Sequence, residues 1–300
     1  MTLDGAAPLV QLASIWLLVF SLGARASVHT VSYMLRRPSL LLRALAALYV
    51  VAPAFALLIA ETTALLAPIR FAIVAMSIAP VAAVLPHQQM KAGAGEDYTI
   101  GLLVASAAAA IVATPFLLEF AARMLDAEAT ITPIRLAQSL LTTIGLPLAA
   151  GMVLKAVWGP ASAGIERLAQ RVGTILFFLA SAAMMAIGWR DIVALLGNGS
   201  ALAFAAVAVV SLIGGHLLGE GREKAALALA AANRHPGVAL AIADMSFPAE
   251  RPAISAAILL YLAITSLITW PYIHWTRVRG SSKARGTAAP SPTGRGSRSG

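Results

Sequence analysis

Apolar residues run along this chain in long blocks separated by short polar connections. A membrane-spanning helix takes about 20 apolar residues, and on that measure the pattern predicts nine spans. They lie at 8–23, 39–60, 66–91, 98–122, 132–155, 168–188, 199–218, 223–246 and 252–275. The third and eighth are interrupted. In the third, Pro80 and Pro86 break the helical hydrogen-bond ladder, and Pro86 opens the polar run His87-Gln88-Gln89. In the eighth, Asn233-Arg234-His235-Pro236-Gly237 puts a cation, a titratable ring and a proline on consecutive residues inside an apolar block. A charge at bilayer depth is costly and is normally kept for a function. The breaks fall in corresponding places of two halves, about 8–122 and 132–275. That is the trace of an inverted repeat with a site where the halves meet. All ten of these break residues are candidate substrate- or ion-binding positions. A broken helix also leaves unpaired N–H groups at one stub and unpaired carbonyls at the other, which attract anions and cations respectively.

Composition agrees with the pattern. Of 300 residues 59% are hydrophobic and 12% charged, whereas a soluble domain carries about 25% charged residues. The chain has no cysteine, which excludes disulfides, thiolate metal sites and cysteine nucleophiles. No paired carboxylates, His-x-x-x-His spacing or Ser/His/Asp set appears at one depth, so the reading is not an enzyme and names no cofactor. The net charge of +9 is concentrated in residues 276–300, where Arg277, Arg279, Lys283, Arg285, Arg295 and Arg298 occur without an acid. This Gly/Ser/Pro-rich tail is expected to be disordered and to meet anionic lipid on the cytoplasmic leaflet, with no nucleic-acid partner expected. Residues 1–275 form the transmembrane domain. The first 24 residues contain Asp4 and no Lys or Arg, unlike the basic start of a signal peptide, so the first block is expected to remain as a span.

Nine spans put the termini on opposite sides. With the N-terminus outside, fifteen Lys and Arg fall in inner connections and the tail, against four (Arg123, Arg135, Arg190 and Arg251) outside. The positive-inside rule therefore places the C-terminus in the cytoplasm. Arg43 and Arg70 lie near span ends and can reach the headgroups. Ala105 to Ala110, Ala201 to Ala208 and Gly215-x-x-x-Gly219 read as close helix-packing surfaces.

Several stretches resemble the bile acid:sodium symporter family. They are Gly23 to Arg37 leading into Pro38, then Pro53, Pro80, the Gly93 to Asp97 turn, Pro115, and Gly145 to Gly151 with Leu146-Pro147. The strongest is Arg234-His235-Pro236-Gly237-Val238-Ala239, which is similar to the second crossover of bacterial members. The resemblance implies an all-α membrane protein with inverted repeats, a panel and a core, and two broken helices crossing in the core. It also implies residence in a bacterial inner membrane, and the nine-span form lacks the first helix of the family.

The chain departs from the family pattern where sodium binds. With Pro80 set as the proline of the first crossover, Leu85 and Pro86 stand where Ser and Asn are usual. With Gly237 set as the glycine of the second, Ala230 stands at the usual Glu and Arg234-His235 at Gln-Asn. The usual sodium ligands are thus unmatched, although sodium stays open as a coupling ion. The expectation is a secondary transporter of small organic anions with altered or absent sodium coupling. Arg234 either replaces the ion or binds a substrate carboxylate with its fork, and His235 is a candidate for proton coupling. The alternative class is a non-transporting sensor or scaffold on the same fold. Substrate identity and oligomeric state are not readable from the sequence.

Overall fold

The apolar blocks fold as helices in a computed structural model that describes residues 3–125, 133–196, 199–246 and 251–286, and no strand occurs among these residues. Helix α1 (Leu3–Arg25) turns by 90° into α2 (Val28–Leu35). The Ser27 hydroxyl caps α2 by accepting from Thr30 N at 3.1 Å, which satisfies one donor that the helix start would leave free. Helices α3 (Pro38–Ala46) and α4 (Ala52–Thr62) are joined by a π turn at Ala47–Val51. Then come α5 (Ala67–Ile78), the short α6 (Pro86–Lys91) and α7 (Glu96–Met124). A second π turn, Leu141–Gly145, joins α8 (Pro133–Leu140) to α9 (Leu146–Trp158). Each π turn lies just before a proline, Pro53 or Pro147, whose missing N–H interrupts the regular ladder. The rest of the chain supplies α10 (Ala163–Ile187), α11 (Trp189–Leu196) and α12 (Ser200–Leu218), then α13 (Lys224–Ala232), α14 (Pro236–Ser246) and α15 (Arg251–Gly286).

Two bodies of helices follow from the packing. In the smaller, α1 lies against both α9 and α10. Lipid gives no hydrophobic drive for helix association, so close approach through small residues matters. A Cβ on Gly23 would sit 2.1 Å from the Leu148 carbonyl oxygen, and one on Gly151 2.1 Å from that of Phe20. In the larger body α12 packs on α13, α4 on α5, and α15 on α5, α12 and α14. There a Cβ on Gly215 would meet the Leu227 carbonyl oxygen at 2.6 Å, so the Gly215-x-x-x-Gly219 surface is a packing face. The bodies meet where α8 touches α7, α1 touches α14 and α10 touches α15. Arg25 on α1 also bridges them, 3.3 Å from Glu96 of α7 and 3.7 Å from Glu166 of α10.

Five described helices are long and apolar enough to cross a membrane, or six with the bent α1–α2 pair, so this is a multi-pass membrane protein. One of the five is a 54-residue run, Ile134–Ile187. At about 1.5 Å per residue it is far longer than one crossing of a hydrocarbon core about 30 Å thick, and the chain turns within it at Gly159, φ 52°. The third and eighth predicted blocks do not meet the length test because their breaks cut them into pieces of at most 12 residues. Helix α15 runs on to Gly286, so residues 276–286 are helical where the sequence pattern predicted disorder. The helix continues through Gly280, Ser281 and Ser282 without ending there. Residues 287–300 lie outside the described part.

Candidate functional site

The two broken helices meet at their breaks. Helix α5 stops because Pro80 has no N–H and disfavours helical geometry at the residue before it. Ala79 is accordingly extended, φ −63° and ψ 151°. Helix α13 stops at Asn233, φ −99° and ψ 100°, three residues ahead of Pro236. The extended segments lie antiparallel and form a single bridge between Val81 and Arg234. His235 N donates to Pro80 O at 2.9 Å, and Ala82 N donates to Asn233 O at 3.4 Å. Each break thus satisfies backbone groups of the other, which non-helical backbone at membrane depth requires.

Arg234 is 1% exposed and ties this crossing together. Its Nε donates to Ala231 O at 3.1 Å, its Nη1 to Ala79 O at 3.1 Å, and its Nη2 to Leu48 O. Each acceptor lacks a helical partner for a reason visible in the sequence. Ala79 caps the end of α5, just ahead of Pro80. The donor that a continued α13 would offer Ala231 is His235 N, which bonds Pro80 instead. Within the first π turn Ala52 N reaches back to Ala47 O. Leu48 therefore loses its usual donor, and Pro53, next in line, has none. The guanidinium also lies 5.9 Å from the Tyr49 ring centroid, and the Tyr49 hydroxyl donates to Ser106 O at 2.6 Å. The C-terminal ends of α5 and α13 both point their negative dipole ends at this spot. At about −0.5 charge each, one guanidinium balances the pair.

The remaining candidates divide between structural and exposed roles. Pro80 and Pro86 bound the first break, and Gln89 is buried with its Nε2 donating to Ala226 O at 2.8 Å, which fastens α6 to α13. Gln88 and Asn233 line an open cleft of about 410 Å³ between the two bodies, while Asn233 Nδ2 also donates to Leu229 O at 3.0 Å. His235 is 3% exposed, and its Nδ1 has no hydrogen-bond partner among the described residues. Pro236 starts α14, and Gly237 lies so close to α1 that a Cβ would fall 2.1 Å from Ile15 Cδ1. The side chain of His87 lies outside the described residues.

The cleft contains groups that the sequence pattern did not single out. Lys91 and Arg277 supply cations, Ser266 and Thr269 hydroxyls, and Phe178 of α10 and Trp270 aromatic surface; no carboxylate is among its lining residues. Residues 266, 269, 270, 273, 274 and 277 all line it, at the spacing of one helix face. That stripe was available as a signal in an otherwise apolar span. A second cavity, about 450 Å³ around His216, Tyr272 and Trp275, is almost wholly apolar and contains no crossover residue. Its His216 Nδ1 pairs with the Tyr272 hydroxyl at 2.6 Å, a packing role. Arg43 and Arg70 pair with Glu220 and Glu61 at helix ends.

The side chains at the expected sodium-ligand positions of the crossover do not supply oxygen. Leu85 and Ala230, at the positions where the resemblance expects oxygen ligands, are buried apolar residues. The free carbonyls of the crossing are held by a guanidinium. No cluster of three or more His, Asp or Glu suited to a metal occurs among the described residues.

A multi-pass helical fold with two broken helices paired at their breaks and a cleft beside them is the architecture of secondary transporters. The family model described as Sodium Bile acid symporter family matches residues 12–207, and the chain belongs to that family. Its members are transporters, not enzymes. The match takes in the first break and ends before the second. None of the curated proteins matches the chain.

Proposed function

We propose that this protein is a secondary transporter of small organic anions in which Arg234 is a built-in replacement for the coupling cation. The single observation that carries the reading is the guanidinium shared among Leu48, Ala79 and Ala231. Fully buried, and with three of its five N–H donors given to backbone carbonyls, the guanidinium is bound into the fold rather than presented to the cleft, which favours ion replacement over direct substrate binding. The anion instead enters the cleft, where Gln88 and Asn233 offer amide donors and Lys91 and Arg277 supply positive potential. Phe178 and Trp270 suit an apolar or aromatic body.

The arrangement behind this reading is nine spans in two inverted halves, with the first half lacking one helix. The N-terminus lies outside and the cleft opens toward the cytoplasm of a bacterial inner membrane, where Lys91 and Arg277 follow the positive-inside rule. Beyond α15 the basic residues meet anionic lipid. Transport proceeds by movement of the larger body against the α1–α9–α10 layer.

The test is thermal unfolding of the detergent-purified protein with a bile acid and a set of simple carboxylates, in sodium and in choline buffer. A ligand bound only by the folded state raises the midpoint. The reading expects equal stabilisation in both buffers. Stabilisation that requires sodium would overturn it.

A further inference from the structure

The apolar groove of about 450 Å³ between α12 and α15 has no part in the crossover or its cleft. Its size falls within that of small-molecule sites, about 300–1,000 Å³. Leu212, Ile213, His216 and Leu217 form the α12 wall, and Pro271, Tyr272 and Trp275 the α15 wall. His216 Nδ1 and the Tyr272 hydroxyl pair at 2.6 Å, which lets both rings sit in apolar surroundings. The Trp275 ring lies 5.8 Å from that of Tyr272 and 6.3 Å from that of His216, so three rings brace one another into a formed wall. Ile213, Leu217 and Trp275 are exposed. The groove therefore opens on the outer flank of the larger body, and in a membrane protein that flank meets lipid.

Helix α15 serves two sites. Positions 266, 269, 270, 273, 274 and 277 line the cleft, whereas 271, 272 and 275 line the groove. At 3.6 residues per turn these two sets lie on opposite sides of the helix, so the groove is not an arm of the substrate cleft.

Position and charge name its occupant. His216 and Leu217 stand in the last turn of α12, which ends at Leu218. In the charged connection that follows, both acids are paired: Glu220 with Arg43 at 2.9 Å and Glu223 with Arg222 at 3.2 Å. Lys224 is exposed and has no acidic partner among the described residues. Its Cα packs on the end of α12, 2.6 Å from where a Cβ on Gly219 would stand. The excess positive charge at this end of the groove thus belongs to Lys224, on a side chain flexible enough to swing toward the groove mouth. Tyr and Trp settle at headgroup level, so Tyr272 and Trp275 mark the depth of the mouth. An apolar slot, an aromatic collar and then an unpaired cation follow the order of parts along a phospholipid: chain, glycerol region, phosphate. In the orientation proposed above this end faces the cytoplasm, where anionic headgroups attract basic side chains.

We propose that the α12–α15 groove holds one acyl chain of an anionic phospholipid whose phosphate pairs with Lys224. The site is separate from the crossover and does not depend on which anion is carried. A chain seated there supports α15 against α12 on the flank opposite the cleft.

Trp275 reports the occupant directly. The chain has five tryptophans, and a variant with Trp16, Trp158, Trp189 and Trp270 changed to Phe keeps Trp275 alone. It is placed in bilayers of phosphatidylcholine containing increasing fractions of phosphatidylglycerol, with bromine on the acyl chains of one lipid or the other, and quenching of Trp275 fluorescence is measured. The expected result is an apparent affinity at Trp275 at least threefold higher for phosphatidylglycerol, falling to parity in Lys224→Gln. Equal quenching by both lipids, or a preference that survives Lys224→Gln, would overturn the proposal. Quenching by neither lipid would mean that a second copy of the chain covers the groove, and would overturn it too. Where the single-tryptophan variant folds poorly, the unfolding midpoint of the native chain in neutral detergent takes its place. Short-chain phosphatidylglycerol should raise that midpoint more than phosphatidylcholine does. The difference should vanish in Lys224→Gln and in Ile213→Trp, which fills the groove, and its persistence in both would overturn the proposal.

Discussion

Replacing Arg234 with alanine strips donors from the carbonyls of Leu48, Ala79 and Ala231 at once. Each buried acceptor left unsatisfied costs about 1–3 kcal/mol, so the crossing loses roughly 3–9 kcal/mol. Domains are stable by only about 5–15 kcal/mol, so Arg234→Ala is expected to melt far below the native protein or to accumulate poorly. The loss is chemical and local, so it is reversible. Guanidinium ion at about 10 mM should enter the vacated cradle and bridge the same carbonyls. At that concentration its denaturing effect is below about 0.1 kcal/mol, given slopes of a few kcal/mol per molar. A site with Kd of about 1 mM would return about 1.4 kcal/mol. The assay is the unfolding midpoint of Arg234→Ala in detergent with guanidinium, sodium or choline chloride at equal ionic strength. Arg234→Lys serves as the comparison: its ammonium keeps the charge but lacks the planar fork, and it should recover only part of the loss. A midpoint for Arg234→Ala within about 2 °C of native, about 1 kcal/mol or less for a protein of this size, with no response to guanidinium, would refute the claim that this residue holds the crossing together.

Other substitutions test the parts around it. Pro53→Ala restores an N–H to the π turn and lets the helix recapture Leu48 O, so Arg234 loses one acceptor; a loss of about 1–2 kcal/mol in thermal or denaturant unfolding is expected. Gly151→Ala drives a Cβ onto the backbone oxygen of Phe20 at 2.1 Å and should destabilise by more than about 2 kcal/mol, with no relief from any side-chain change nearby. Gly237→Ala clashes with the tip of Ile15, with His235 Cε1 the next neighbour at 3.4 Å, and adding Ile15→Ala should restore most of its unfolding midpoint. Lys91→Gln and Arg277→Gln should raise the KM for anion uptake up to tenfold each, an effect that shrinks as salt screens the cleft.

Much of the crossover was legible because its residues break local rules. A proline removes a donor wherever it stands, and a cation in an apolar block demands partners. Pro80, Pro236 and Arg234 therefore announced a break with buried electrostatics. The partners themselves were not legible. Leu48 O becomes an acceptor only because the ladder shifts by one residue ahead of Pro53, a shift that the sequence pattern does not reveal. The choice between ion replacement and carboxylate binding by Arg234 likewise depended on burial, which sequence does not report. The α15 stripe from Ser266 to Arg277 was present in the pattern but masked by the strong apolar signal around it. The extension of α15 to Gly286 went unpredicted because composition alone does not distinguish a basic tail from the last turns of a helix.

The central claim is that a fixed guanidinium stands where an ion would otherwise be needed, and uptake kinetics test it most directly. Initial rates of uptake of a stabilising anion into proteoliposomes are measured with sodium, potassium or choline as the sole external cation. The account predicts the same rate in all three, and no stimulation by an inward sodium gradient. Uptake that appears only with sodium would contradict it, whatever Arg234 contributes to stability.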